Sequence, residues 1–150
     1  MSAVLGTDQV VQIGIIVKDV ETTATKYAEF LGVAKPDIII TGKYEEALTE
    51  YKGQPSEATA RLAFFHVGPS LDIELIQPDE KPSTWREFLD EKGEGVHHIA
   101  FFIKGMKEKI FELGAQNISL VQKGEYTGGR YAYMDSSKDL KTILELLEND

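Results

Sequence analysis

The segment from Gly93 to Lys104 reads GEGVHHIAFFIK and holds two of the three histidines of the chain. A glycine-broken turn leads here into a run of β-forming residues, which predicts a strand over residues 96–103. Neighbouring side chains of a strand point to opposite faces of a sheet. We therefore expect only one of His97 and His98 to face any one site. His97 is placed on the face opposite His98, as a loop or core residue.

A segment near the N-terminus repeats this pattern. Residues 12–18 read QIGIIVK and residues 98–104 read HIAFFIK, so a polar residue, five mostly apolar residues and a lysine follow in the same order. Residues 73–76 (IELI) and 144–147 (LELL) form a second matching pair. Because the two pairs occur in the same order, the chain is interpreted as a duplicated module.

Each copy has the pattern strand, helix, strand, strand, strand. We expect an α+β fold in which two tandem βαβββ modules form a concave, barrel-like sheet around a cavity. A single domain is predicted over residues 1–150, with module one at about 9–78, a linker at 79–83 and module two at about 84–148. The repeat offsets make the first module about fifteen residues longer. Residues 42–55 are charged and form either a helical turn over residues 44–48 or a loop beside the site.

Four polar residues occupy matched positions in the two copies: Gln12, Glu74, His98 and Glu145. If the modules pair by pseudo-symmetry, all four point into the cavity. Taken singly, a strand glutamate can face solvent, and a histidine before an apolar strand can be structural. Taken together, two carboxylates, an imidazole and an amide oxygen predict a site for one divalent metal ion such as Ni, Co, Mn, Fe or Zn. Gly14, inside the first strand, indicates a close approach of another group to the backbone.

Composition excludes several classes of function. The chain has no cysteine, so disulfides, thiolate nucleophiles and cysteine-bound zinc are excluded, and a cytoplasmic location is the default expectation. A net charge of −9 argues against a nucleic-acid or anionic-membrane binder. The N-terminal residues lack the features of a signal peptide, and no apolar run reaches the roughly 18 residues of a membrane helix.

The chain resembles the vicinal oxygen chelate superfamily, which includes glyoxalase I, methylmalonyl-CoA epimerase, fosfomycin-resistance enzymes, bleomycin-binding proteins and extradiol dioxygenases. The resemblance covers residues 9–148 and rests on the motifs QIGI at 12–15, IELIQP at 73–78, GVHHIAF at 95–101 and ILEL at 143–146. In this superfamily one metal ligand comes from each of four strands, and the matching residues are again Gln12, Glu74, His98 and Glu145. The motifs are most like those of the epimerase branch. A Gln, Glu, His, Glu set also resembles that of some glyoxalases I.

The resemblance implies a metal-dependent lyase, isomerase or epimerase that moves a proton next to a metal-polarised carbonyl. Glu145 is the first choice for the catalytic base, with Glu74 as second ligand or partner acid. The expected partner is a small-molecule substrate, either a thioester or a hemithioacetal, with no nucleic acid and no membrane. The alternative is a non-catalytic, antibiotic-sequestering protein of the same fold, and both alternatives predict a homodimer. Ligand contacts or ordinary strand packing both suit Tyr126, Arg130, Tyr131 and Tyr133.

Overall fold

The computed structural model describes residues 3–150, which form five helices and ten strands. The helices are α1 (Val20–Leu31), α2 (Tyr44–Ala47), α3 (Thr84–Lys92), α4 (Met106–Gly114) and α5 (Ser137–Leu140). The strands are β1 (Gln12–Ile16), β2 (Ile39–Ile40), β3 (Glu50–Tyr51), β4 (Gln54–Pro55), β5 (Ala60–His66), β6 (Asp72–Pro78), β7 (Gly95–Phe102), β8 (Ser119–Tyr126), β9 (Gly129–Asp135) and β10 (Ile143–Asn149). No helix among the described residues combines the length and the apolar composition that crossing a bilayer requires.

All ten strands belong to one sheet, in the order β2-β5-β6-β1-β7-β10-β9-β8-β3-β4. The first strands of the two modules, β1 and β7, pair antiparallel at its centre. Each of them also pairs in parallel with the last strand of its own module, β6 or β10. Apart from β3 and β4 at one end, the strand order is therefore symmetric about the β1–β7 pair. The sheet curls into a half-barrel, which confirms the predicted α+β fold with two βαβββ modules.

Helices α1 and α4 cover the outer face of this sheet. Helix α1 begins after Asp19, whose side chain accepts a hydrogen bond from the backbone N–H of Thr22. It ends at Gly32, whose φ of 69° lies in the left-handed region that favours glycine. The buried residues of α1 recur at helical spacing and are Val20, Ala24 and Ala28. Helix α4 packs on the second module in the same way.

Helix α3 connects the two modules and packs on the inner, concave face. Its Trp85 lies in a buried apolar cluster whose other members are Ile16, Ala60, Ile76 and Tyr133. This cluster fills one end of the concave space. The polar residues of the site therefore lie beside an apolar floor rather than in open solvent.

The start of α3 differs by one residue from the sequence prediction. The spacing of Thr84 and Glu87 predicts that Thr84 caps the helix. In the structure the cap is Ser83, whose hydroxyl accepts a hydrogen bond from the N–H of Arg86. The hydroxyl of Thr84 is therefore available for a contact elsewhere, and it lies against His97.

Residues 42–58, here called the strap, bridge the two ends of the curled sheet. The strap leaves β2 at one end of the sheet, and its short strand β3 pairs with β8 near the other end. The predicted helical turn is present as α2, whereas the hairpin of β3 and β4 was not predicted. The hydroxyl of Ser56 donates a hydrogen bond to the carbonyl of Pro82, which ties the strap to the segment that precedes α3.

Candidate metal centre

Strand β7 carries a bulge beside β1. Gly14 pairs with His98 and Ile15 pairs with Val96, so His97 has no partner on β1. An inserted residue of this kind interrupts the alternation of side chains. Both imidazoles therefore lie on the concave side, with their Nδ1 atoms 2.8 Å apart. The prediction that His97 faces the side opposite His98 is wrong. The sequence left open whether His97 is a loop or a core residue, and the structure shows a core residue, because His97 is 1% exposed.

The imidazole of His98 lies directly over Gly14. A Cβ atom on residue 14 would lie 2.0 Å from Cε1 of His98 and within 2.5 Å of both ring nitrogens. Ordinary carbon–carbon contacts are about 3.5–4.0 Å. The glycine of β1 is therefore required by the ring, and the close approach expected from the sequence is confirmed.

Nε2 of His98 is the point on which the other three predicted ligands converge. It lies 2.8 Å from Oε1 of Gln12, 3.2 Å from Oε1 of Glu145 and 3.5 Å from Oε1 of Glu74. Strand register explains this arrangement, because Glu74 and His98 pair with Gly14 on its two sides. All four side chains belong to buried residues, each at most 8% exposed. The structure thus brings together the four residues that the repeat selects.

The amide of Gln12 fits this site better after its oxygen and nitrogen are exchanged. With the amide turned, its nitrogen donates to Oε1 of Glu145 at 2.8 Å and to Oε1 of Glu74 at 3.3 Å. The same nitrogen then lies 2.8 Å from Nε2 of His98, which accepts. Gln12 is therefore able to complement either protonation pattern of the His98 ring.

Two buried carboxylates face each other in this site. Within residues 3–150, neither has a lysine or arginine at ion-pair distance. Burial raises the pKa of Glu74 well above its ordinary value, and the charges of Glu145 and Asp72 raise it further. Burial also raises the pKa of Glu145, against a hydrogen bond from Tyr133 that lowers it. Because burial lowers the pKa of His98 to about 3, its ring supplies no positive charge at neutral pH. Burial thus favours the protonated, neutral carboxyls, and a bound cation would favour their ionised forms instead.

The donor set fits a divalent ion of the first transition row, since it combines one imidazole nitrogen with carboxylate and amide oxygens. Adjacent ligands about 2.1 Å from one ion lie about 3 Å apart, and the contacts to Nε2 of His98 have this size. As the side chains stand, no group of three or more His, Cys, Asp or Glu residues in the described part of the chain is arranged to hold an ion. Because the other side chains converge on Nε2, this is the nitrogen of His98 that would bind an ion. A ligating nitrogen carries no proton, so ligation requires His98 to have its proton on Nδ1.

Behind His98, a chain of hydrogen bonds continues into the protein. Nε2 of His97 lies 2.6 Å from the hydroxyl oxygen of Thr84. The His97 ring packs edge-on against Phe88 and Tyr133, with ring centroids 5.4 and 5.1 Å away. Burial lowers the pKa of His97 well below its ordinary value, and the neighbouring His98 lowers it further. The sequence offered no direct signal for Thr84, whose pattern suggests a helix cap.

Tyr133 and Trp85 form a second support, on the side of Glu145. Nε1 of Trp85 donates to the hydroxyl oxygen of Tyr133 at 2.9 Å, and the nearby Tyr133 side chain lowers the pKa of Glu145. Both aromatic residues are at most 4% exposed. The sequence places Trp85 in the core, but only the fold places its N–H behind the carboxylate of Glu145.

Other residues considered at the sequence level do not join this site. Arg130 pairs with Glu148 and Asp150 near the C-terminus. Tyr126 hydrogen bonds to Asn149 at 2.7 Å. The hydroxyl of Tyr131, a half-buried residue, accepts a hydrogen bond from Gln122. The third histidine, His66, is exposed and pairs with Asp72.

Comparisons with known proteins agree with this fold. The family model described as the Glyoxalase/Bleomycin resistance protein/Dioxygenase superfamily matches residues 11–133. The chain is 29% identical over 139 residues to the uncharacterized protein YqjC of Bacillus subtilis (strain 168), with 91% of this chain and 89% of that protein covered.

Two solved structures have the same architecture. Methylmalonyl-CoA epimerase from Mycobacterium tuberculosis superimposes with a TM-score of 0.63 at 23% identity and covers 100% of this chain and 92% of its own. A variant of Streptomyces coelicolor methylmalonyl-CoA epimerase in complex with 2-nitronate-propionyl-CoA gives a TM-score of 0.62 at 18% identity, with 94% and 96% covered. At these identities the likeness shows the fold alone. Because the family model spans most of the chain, including three of the four converging residues, the chain belongs to the Glyoxalase/Bleomycin resistance protein/Dioxygenase superfamily.

Proposed function

We propose that this protein is a metal-dependent lyase, isomerase or epimerase that moves a proton on a carbon next to a carbonyl group. The observation that carries the proposal is the convergence of Gln12, Glu74 and Glu145 on Nε2 of His98 inside a buried site. Membership of a superfamily that contains metal-dependent enzymes supports it. The two carboxylates without a basic partner support it further, because burying such charges is costly unless a cation accompanies them.

The four side chains would hold one divalent ion, which would supply polarisation of a substrate carbonyl oxygen and so make the neighbouring carbon more acidic. Glu145 takes the proton from that carbon as a general base. Tyr133 lowers the pKa of Glu145 and so favours the ionised form that a base needs. Glu74, which reaches the site from β6 on the other side of Gly14, is the second ligand and the candidate for returning the proton.

The substrate class proposed is a thioester, with a hemithioacetal as the other member of the same chemistry. The similar epimerase structures are described in complex with methylmalonyl-CoA or 2-nitronate-propionyl-CoA, and these ligands are the first to try. A homodimer and a cytoplasmic location remain predictions from the sequence.

Metal titration followed by proton exchange tests the proposal. The protein is stripped with a chelator and titrated calorimetrically with Co²⁺, Ni²⁺, Mn²⁺, Fe²⁺ and Zn²⁺. Loaded protein is then incubated with methylmalonyl-CoA in D₂O, and NMR follows loss of the proton next to the carbonyl. We expect one ion per chain and measurable exchange. Glu145→Gln should fold and lose at least about 100-fold in exchange rate, whereas Glu125→Gln, an exposed glutamate of β8, should behave like wild type.

The alternative is a non-catalytic protein that sequesters a small molecule such as an antibiotic. It predicts neither stoichiometric metal binding nor proton exchange. Absence of metal binding by the wild-type protein would therefore contradict the enzyme proposal and favour this alternative.

A further inference from the structure

A single file of hydrogen bonds runs from the candidate metal centre into the core. It links Gln12 to Nε2 of His98 at 2.8 Å, Nδ1 of His98 to Nδ1 of His97 at 2.8 Å, and Nε2 of His97 to the hydroxyl of Thr84 at 2.6 Å. Each member is at most 8% exposed. The file exists only because the bulge in β7 places both rings on the same side of the sheet.

The proton positions along this file are coupled. A neutral imidazole has one donor nitrogen and one acceptor nitrogen, and each contact in the file needs one of each. In the first arrangement, here called inward, every donor points toward the metal centre. Thr84 donates to His97, His97 donates to His98, and Nε2–H of His98 donates to Gln12. In the second arrangement, here called outward, every donor and acceptor is exchanged and every donor points away from the metal centre. The turned amide of Gln12 then donates to Nε2 of His98. The heavy atoms are compatible with both.

Only the outward arrangement leaves Nε2 of His98 without a proton, and an ion bound there would replace the hydrogen bond from Gln12, whose amide then turns its oxygen toward the ion. In that arrangement Nδ1 of His98 carries the proton and donates it to His97. Nε2–H of His97 is then donated to Thr84. A metal-bound histidine ordinarily donates its other N–H to a nearby acceptor, which selects the tautomer and orients the ring. Here the acceptor is a second imidazole, which is itself held by a threonine.

Resting on the proposed function, we propose that His97 and Thr84 are positioning residues of the metal centre. His97 accepts a hydrogen bond from Nδ1–H of His98, and Thr84 accepts one from Nε2–H of His97, so that Nε2 of His98 carries no proton and is presented as the ligand. Loading of the ion then coincides with the outward arrangement of the file. The surroundings of His97 support this role, because Phe88 and Tyr133 pack edge-on against its ring. A purely structural residue in these surroundings has no need of an acceptor directed at His98.

A matched pair of substitutions separates positioning from packing. His97→Asn retains an acceptor close to the place of Nδ1, whereas His97→Leu has a similar branched shape and no acceptor. We expect His97→Leu to lower the affinity for Zn²⁺, added as the free ion to chelator-stripped full-length protein, by about 10–100-fold. His97→Asn should stay close to wild type. A purely structural role predicts the reverse order, since leucine suits the apolar surroundings better than asparagine. Thr84→Val and Thr84→Ser form a second pair. We expect Thr84→Val, which lacks the hydroxyl, to lower the affinity for Zn²⁺, and Thr84→Ser, which retains it, to stay close to wild type.

The tautomer itself is measured by ¹⁵N NMR of the wild-type protein, which does not depend on whether a variant folds. In the Zn²⁺-loaded protein we expect the protons of His98 and His97 on Nδ1 and Nε2, respectively. Zn²⁺ binding by wild type with equal affinity in His97→Leu and His97→Asn, or an Nε2–H tautomer of His98 in loaded protein, would overturn this inference and leave the proposed function standing. Failure of the wild-type protein to bind Zn²⁺ or any of the other ions would overturn both.

Discussion

Gly14→Ala tests the geometry of the site with the smallest change the chain allows. The added Cβ would lie 2.0 Å from Cε1 of His98, where contacts of about 3.5 Å are normal, so the ring has to move by about 1.5 Å. Such a displacement moves Nε2, now 2.8–3.5 Å from the side chains of Gln12, Glu145 and Glu74, out of reach of most of them. We expect a loss of metal affinity of at least about 100-fold, as for removal of His98 itself.

The sign of the change in stability caused by Gly14→Ala distinguishes a clash with the His98 ring from an open position. Replacing glycine by alanine inside a strand ordinarily stabilises a protein by about 0.5–1 kcal/mol. Overpacking at a buried position instead costs about 1–3 kcal/mol, which for a chain of this length lowers the melting temperature by roughly 3–10 °C. Gly68→Ala is the matched control, because a Cβ there has no atom within 4 Å and its φ is not left-handed.

The assay is calorimetric titration of chelator-stripped protein with Zn²⁺, together with thermal unfolding of the metal-free form. A double variant, Gly14→Ala with His98→Ala, removes the ring that causes the clash. The alanine at position 14 should therefore cost less stability in the His98→Ala background than in wild type, which a double-mutant cycle measures. Wild-type Zn²⁺ affinity in Gly14→Ala, or additive stability effects in the cycle, would refute the close packing of His98 on β1.

Three further outcomes follow from the same structure. Because burial raises the pKa of Glu74 and raises that of Glu145 from 4.5 to about 8, the folded metal-free protein retains protons that the unfolded chain releases. Below pH 6.5 the lowered pKa values of the buried His97 and His98 act in the opposite direction, so the urea stability should fall as the pH rises from about 6.5 to about 8, where only the glutamates change charge. A rise over that range would contradict the burial of the pair. Trp85→Phe removes the hydrogen bond to the Tyr133 hydroxyl and should lower the free energy of unfolding by about 1–3 kcal/mol in urea titrations; unchanged stability would argue against that contact. Tyr51→Phe removes the hydroxyl that hydrogen bonds to Glu87, so the strap amides should exchange with deuterium faster while the global stability changes little; equal exchange rates would show that this contact does not hold the strap.

Strand alternation and repetition explain why the main site was predictable. Gln12 and His98 open matching strands, and Glu74 and Glu145 occupy matching places in two later strands. A period of two along each strand is a local property of the chain. Once the modules pair about β1 and β7, residues at matched positions meet without further information. The bounds of α1 were predictable for another local reason, because Asp19 and Gly32 are capping residues at its two ends.

Register between distant strands is what the sequence did not contain. The bulge that turns His97 toward His98 depends on how β7 pairs with β1, and no residue near His97 indicates that a bulge is present. The same applies to Thr84, which lies beside His97 only because α3 packs on the concave face.

The sequence by itself determined the repeated modules, the boundaries of α1 and the four residues that converge on Nε2 of His98, because these depend on local periodicity, capping residues and repetition. Tertiary structure alone decided that Gly14 makes room for the His98 ring, that His97 and Thr84 stand behind it, and that the strap pairs with β8. Those contacts join strands and helices far apart in the chain. Their free energy depends on packing and register, which no local pattern of residues encodes.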